Sequence, residues 1–228
     1  MSKKNKKQKL FKRSRFRQYR RSIIWFSFLV VLLYGISFWS DQENFKINQI
    51  EVIGNRFAQE QEILNIVEDQ IKGKYLFLVS KDNYFFIPSR SIKRSIEEIT
   101  SVKNVIVNRH ELGYLKIEIT EHQPVALYCL EKCYFVNDRG LFFVEAPEKY
   151  LDDLIILEAE LEIQDSLIGQ YFIDREAFSG LIEKTEILKI ENIDINKIST
   201  EDFQTFVLHT VGGPTLLVEK DDTPQEIV

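Results

Sequence analysis

Chemistry needs side chains that titrate, ligate or attack, and this sequence does not group them. The three histidines, His110, His122 and His209, are scattered, and none stands in an H-E-x-x-H pair. No G-x-x-x-x-G-K-[ST] phosphate loop, G-x-S-x-G nucleophile turn or G-x-G-x-x-G dinucleotide turn occurs. The histidines therefore read as solvated or hydrogen-bonded surface groups. The acidic runs Glu158 to Glu162 and Asp221-Asp222 read as solvated faces. Only Cys129 and Cys133 have a spacing with chemical content. Leu130-Glu131-Lys132 separates them, so a tight hairpin would bring the two thiols opposite one another. A disulfide in an oxidising compartment and a pair of free thiols both remain open. No further cysteine or histidine cluster completes a metal-ligand set. The expectation is a non-enzyme with no catalytic, cofactor-binding or metal-binding residues.

Composition bounds what could position such residues. The chain has 228 residues, 44% hydrophobic and 29% charged, too apolar for a disordered chain and too charged for a wholly membrane-embedded one. Its net charge of −5 conceals a division. Eleven Lys and Arg precede residue 22 with no Asp or Glu among them; taking these from the 30 in the chain leaves nineteen against all 35 acids. The chain is a short basic tail followed by an acidic body.

Between them lies the uncharged run Ser22 to Ser40, SIIWFSFLVVLLYGISFWS. As a helix it would extend about 28 Å, close to the hydrocarbon thickness of about 30 Å, with Arg20 and Arg21 able to snorkel at one end. Trp25 and Trp39 stand near its two ends, where amphipathic rings favour the headgroup level. The exit Phe38-Trp39-Ser40-Asp41 has no small-x-small cleavage pattern, so a retained anchor is expected over a signal peptide. The basic flank predicts a cytoplasmic N-terminus and extracytoplasmic residues 41–228.

Periodicity organises the exported part. Phe45 to Ile53 reads as a strand ending at the turn Gly54-Asn55, and Gln59 to Gln70 as a helix with Ile63, Leu64, Ile66 and Val67 on one face. Gly73 to Pro88 is expected to be a loop whose Leu76, Phe77 and Leu78 plug the core. A second helix opens at Pro88, with Ile92, Ile96 and Ile99 at i, i+4, i+7. Val102 to His110 and Tyr114 to Glu121 read as a hairpin, giving the order β-α-α-β-β. Beyond Ala126 the expected strands are Tyr128 to Val136, Leu141 to Val144, Leu154 to Leu157, Ile190 to Ile198, Phe203 to His209 and Thr215 to Val218. Asn137-Asp138-Arg139-Gly140 is a turn between the first two, and Phe178 to Lys189 is a helix.

This order, after an anchor, resembles a POTRA domain. Val52, Gly54 and Asn55 are similar to the "V-x-G-N" end of its first strand, Lys74-Tyr75-Leu76-Phe77 to its mid-domain element, and Thr120 to Ala126, with Pro124, to its "E-R-x-P-(V/I)-A" exit. The later region resembles the β domain of the FtsQ/DivIB cell-division family. The hairpin around Asp138 and Gly140 is similar to its "V-D-x-x-G-x-x-F" pair, and Gly212-Gly213 to Glu219 to its final turn and strand.

The implied fold is α+β: a basic tail (1–21), a transmembrane helix (22–40), a POTRA domain (41–123) and a mostly β domain (124–228). The implied function is a bitopic scaffold at the division septum. It binds FtsB/DivIC-type and FtsL-type membrane proteins and acts through them on septal peptidoglycan synthesis by FtsW and FtsI. Such a scaffold works by strand addition, for which Val105, Ile106, Val107, Asn108 and Arg109 are the candidate POTRA edge, with the far edge of the β domain as a second. A POTRA-bearing component of protein export or outer-membrane assembly is the alternative. It would need tandem POTRA units or a barrel pattern, and the sequence carries neither. Thr223-Pro224-Gln225-Glu226 is a capping box that announces a helix two residues before the printed sequence stops, so a truncated chain is expected. Family members continue there with a helix and the strand on which FtsB adds.

Overall fold

The computed structural model describes residues 3–147, 154–161 and 166–220, with side chains from residue 19 onward. Asp221-Asp222 and the Thr223 to Glu226 capping box lie outside the described residues.

Helix α1 (Lys3–Ser40) runs through 38 residues without a break. Its segment Tyr19–Ser40, 22 residues, is long and apolar enough to cross a membrane. Ile23, Trp25, Phe28 and Val31, which point to different sides of the helix, are all exposed, so the stretch is apolar around its circumference and only its end at Ser40 is buried, unlike the single apolar stripe of a helix packed on a soluble core. A short 3-10 turn (Glu43–Phe45) ends it, so the first strand begins later than Phe45.

The chain then divides into two compact units, one comprising 1–53, 61–94 and 106–118, the other 54–60, 95–105 and 119–228. Strand β1 (Gln49–Ile53) leads through Gly54 into helix α2 (Glu60–Ile71), whose buried side chains are Ile63 and Val67. Residues 73–88 hold more structure than a loop. β2 (Lys74–Tyr75) and β3 (Val79–Ser80) form a small antiparallel hairpin. Its turn residues Leu76 and Phe77 take positive φ values of 47° and 63° and are 85% and 95% exposed. They do not plug the core: apolarity suggested burial, but both are turn-tip residues and point away from the chain.

Helix α3 (Ser89–Glu97) follows, burying Ile92 and Ile96, while Ile99 falls in the turn beyond it. β4 (Val102–Arg109) and β5 (Tyr114–Glu121) complete a three-stranded sheet of order β1, β5, β4, with β1 parallel to β5. The alternation read in β5 holds: Leu115, Ile117 and Ile119 are buried. Gly54 ends β1 at φ +87°, and a β-carbon there would sit 2.2 Å from the Ile119 carbonyl oxygen. Only glycine lets the two strand ends approach this closely.

The 124–220 stretch forms one seven-stranded mixed sheet, of order β12, β11, β10, β9, β6, β7, β8. Tyr128 to Val136 is two strands, β6 (Ala126–Cys129) and β7 (Cys133–Val136), because Leu130-Glu131-Lys132 turns the chain. β8 (Phe142–Glu145) follows the Asn137 to Gly140 turn, where the Asn137 side chain accepts from the Arg139 and Leu141 amides and Gly140 takes φ +78°. β9 (Ile155–Glu158) lies parallel to both β6 and β10 (Ile195–Ser199). Parallel neighbours need a crossover, which helix α4 (Arg175–Ile190) supplies between β9 and β10, whereas β7 and β8 stand between β6 and β9 in the chain. Asp174 caps α4 by accepting from the Glu176 and Ala177 amides. The helix runs on to Ile190, so the strand expected from Ile190 begins only at Ile195. β11 (Thr205–Thr210) and β12 (Thr215–Glu219) finish the sheet. Tyr128, Phe142, Phe172, Phe178 and Phe206 are the large side chains of its core.

Candidate protein-interaction edges

Strand β4 lies at one edge of its sheet, bonded to β5 alone among the described residues. His110 just beyond it donates its N–H to the Tyr114 carbonyl at 3.2 Å. Backbone groups alternate direction along a strand, so counting back by twos turns residues 108 and 106 toward β5 and residues 109, 107 and 105 toward the open side. The side chains divide differently. Val105 is buried, Val107 half-buried, and Ile106, Asn108 and Arg109 are exposed. A partner strand would therefore meet the backbone of Val105, Val107 and Arg109 and the side chains of Ile106 and Asn108. Arg109 is partly committed, since its guanidinium donates to the Phe85 and Ile87 carbonyls at 3.4 and 3.5 Å.

The seven-stranded sheet ends in β8 on one side and β12 on the other. β12 pairs with β11 from Thr205↔Glu219 to His209↔Thr215, leaving its outer side open among the described residues. Leu217 in its middle is 74% exposed. The turn that feeds it contains Gly212 and Gly213 and is closed by the Thr210 hydroxyl donating to the Pro214 carbonyl at 2.7 Å. Register fixed by this turn sets which β12 side chains face outward.

The motif residues sit at the joints between elements. Val52 is opposite Ile117 in the parallel β1/β5 pair, and Asn55 donates to the Ala58 carbonyl at 3.2 Å. Pro124 lies in the link between β5 and β6. The Asp138 carbonyl accepts from the Ser179 hydroxyl at 2.9 Å, tying the turn to α4. Cys129 and Cys133 are paired across β6 and β7, Cα to Cα 4.0 Å, and are joined as a disulfide.

Sequence reasoning missed two features. The Glu121 carboxylate is buried and accepts from the backbone amides of Arg56 at 2.9 Å, Phe57 at 2.9 Å and Ala58 at 2.7 Å. Beside this cradle the Phe57 ring packs 5.5 Å from Phe135 and 5.6 Å from Phe143, which places 54–60 in the second unit. The sequence signal for the first was the glutamate of the strand exit. None marked Phe57.

The second is a groove of about 1080 Å³ on the seven-stranded sheet. Two pairs of its polar groups satisfy one another: Lys197 pairs with Glu158 at 2.7 Å, and the Ser199 hydroxyl with His209 Nε2 at 2.9 Å. Each of these side chains already has a structural partner. His122 Nδ1 meets Asn137 Nδ2 at 2.9 Å. Burial, then Lys103, holds this imidazole below its ordinary pKa, so it accepts from the amide as the neutral ring. Against Tyr114, by contrast, the Glu51 carboxylate accepts from the phenol and pushes its pKa up. No group of three His, Cys, Asp or Glu side chains stands close enough for a metal ion among the described residues.

Residues 45–122, which carry β1 to β5 and both short helices, match the family model of the POTRA domain, FtsQ-type. This segment is an FtsQ-type POTRA domain. The match supports the resemblance of the chain to the FtsQ/DivIB family. POTRA domains are protein-interaction domains. Comparison of the sequence with curated proteins finds no match.

Proposed function

We propose that the chain is a bitopic membrane scaffold of the bacterial division machinery, which binds other division proteins by strand addition and helps control septal peptidoglycan synthesis. The observation that carries this reading is the FtsQ-type POTRA match in a chain whose N-terminal helix is long and apolar enough to span a membrane. The basic N-terminal flank supports a cytoplasmic tail over 1–21. The POTRA domain (41–123) and β domain (124–228) are then extracytoplasmic, where the Cys129–Cys133 disulfide is at home.

Such a scaffold performs no bond chemistry. Anchoring confines its edges to the membrane surface and raises the effective concentration of partners anchored beside it, so weak single contacts suffice. Backbone hydrogen bonds at an added strand supply affinity, and alternate side chains supply specificity. The proposed sites are the β4 edge at Val105 to Arg109 and the β12 edge with Leu217. The proposed partners are small FtsB/DivIC-type and FtsL-type membrane proteins, with FtsW and FtsI reached through them.

Proximity crosslinking of the full chain in dividing bacteria tests this. Division proteins of these types are the expected recovery. Val107→Pro removes an outward N–H while sparing the β5 ladder, so it weakens a β4-edge complex without unfolding the sheet. Unchanged recovery with that variant takes the β4 edge out of the proposal. Recovery of exported precursor proteins in place of division proteins would favour the export reading.

A further inference from the structure

Apolar residues 85 and 86 stand outside the core. Phe85 is 55% and Phe86 44% exposed. With Phe45 they line an apolar groove of about 400 Å³ whose other wall is α1, from Leu32 through Gly35 and Ile36 to Trp39. Leu32 lies eight residues before Ser40, about 12 Å along the helix axis. The half-thickness of a hydrocarbon core is about 15 Å, so a groove reaching Leu32 lies at the depth of acyl chains once Tyr19–Ser40 spans.

Polar groups mark the level where water begins. Ser40 and Asn83 are buried at the helix end: the Ser40 hydroxyl accepts from the Ser80 amide at 2.6 Å, and its carbonyl accepts from Asn83 Nδ2 at 3.0 Å. Lys74 pairs with Asp41 at 2.5 Å just beyond. Trp39 stacks on Phe45, and Phe45 packs on Phe85, so an aromatic layer joins this polar band to the groove.

A chain segment can enter hydrocarbon only if its backbone donors are already paired. This one meets that demand. The Tyr84 amide donates to the Phe45 carbonyl at 2.7 Å, the Phe85 amide to Asn83 Oδ1 at 3.0 Å, and the Phe86 amide to the Asn83 carbonyl at 2.9 Å. Arg109 donates to the Phe85 carbonyl. Exposed rings carried on a paired backbone beside an apolar helix suit lipid and do not suit water.

We infer that Phe85 and Phe86 enter the bilayer beside the spanning helix, and that acyl chains of the leaflet facing residue 41 occupy the groove. The occupant is lipid because one wall is the lipid-facing surface of α1 itself and the other, Phe45, Phe85 and Phe86, is apolar and continuous with it. Besides its partner-binding role, the POTRA domain is thus held to the membrane at two points, the helix and the 83–86 turn. The inference rests on the reading of Tyr19–Ser40 as a span, and the test separates the two.

The full chain, with Trp25→Phe and Trp39→Phe as background, is reconstituted in phosphatidylcholine vesicles brominated at shallow or deep acyl positions. One tryptophan is returned at a time: Leu29→Trp in mid-span, Phe86→Trp in the groove and Leu217→Trp on the β12 edge. Phe86→Trp is expected to emit at shorter wavelength than Leu217→Trp and to lose emission to bromine, more to shallow than to deep positions. Leu29→Trp should lose more to deep positions, and Leu217→Trp should lose none. Phe85→Trp repeats the measurement should Phe86→Trp disturb folding, as judged by a changed far-UV spectrum. Quenching of Leu29→Trp without quenching at 85 or 86 overturns the inference and leaves the anchor standing; the groove is then covered by protein. Failure to quench Leu29→Trp overturns the span and the inference with it.

Discussion

Replacing Glu121 tests whether a single carboxylate ties residues 54–60 to the end of β5. Its two oxygens accept from three backbone amides in four contacts: Arg56 at 2.9 Å, Phe57 at 2.9 and 3.1 Å, and Ala58 at 2.7 Å. These donors are not equally replaceable by water. Arg56 is exposed and Phe57 half-buried, but Ala58 is buried, so in Glu121→Ala its N–H loses its acceptor with no solvent to replace it. One buried orphan amide costs about 1–3 kcal/mol and a half-buried one less, which puts the loss at about 3 kcal/mol. Glu121→Gln keeps the shape and one acceptor. Whichever way its amide turns, the NH2 group faces either the Arg56 or the Ala58 donor, for a loss of about 2 kcal/mol.

Amide hydrogen exchange of the full chain in lipid or detergent reads this directly. At about 1.4 kcal/mol per factor of ten, the Phe57 and Ala58 amides should exchange about a hundredfold faster in Glu121→Ala, with a smaller gain in Glu121→Gln. Unchanged exchange at these amides in Glu121→Ala would refute the reasoning, because the carboxylate would then be ornamental and the link held by Phe57 packing alone.

Three further expectations follow from local geometry. Gly54→Ala forces a β-carbon to within 2.2 Å of the Ile119 carbonyl oxygen at positive φ, whereas Gly73→Ala, at φ +85°, meets nothing within 4 Å. Denaturant unfolding should show a loss of about 3 kcal/mol or more for the first and about 1–2 kcal/mol for the second; equal losses would remove the close approach as the cause. His122 has its folded pKa lowered by burial and Lys103, so the unfolded state binds its proton first. Stability is therefore full above the unfolded value of about 6.5 and declines as pH falls through that value toward the folded one. His122→Gln should flatten the thermal midpoint between pH 7 and 5, and an unchanged slope would assign it to other groups. Replacing both Cys129 and Cys133 by serine opens a ring of few residues, for an expected loss of about 2 kcal/mol, measured against the oxidised parent. No difference would mean that the β6/β7 turn is held by its strand bonds alone.

The sequence alone determined the features that depend on local composition and period. Nineteen uncharged residues between a basic tail and an acidic body mark a helix long and apolar enough to cross a membrane, and α2, α3, β4 and β5 follow from spacing within a few residues of their observed ends. The POTRA order was legible for the same reason, being a succession of short local patterns.

Tertiary structure decided what local patterns leave open. Leu76 and Phe77 read as core because they are apolar, but a two-residue hairpin turn between Tyr75 and Leu78 sends them outward. Tyr128 to Val136 looked like one strand until cross-strand pairing set Cys129 opposite Cys133, and α4 took the residues through Ile190 that β-propensity had assigned to a strand. That β4 and β12 are edges is a property of sheet order, which no single strand encodes. The Glu121 cradle joins residues 63 to 65 positions apart. Such contacts form only after chain closure brings two segments together, so their partners leave no periodic trace in the sequence.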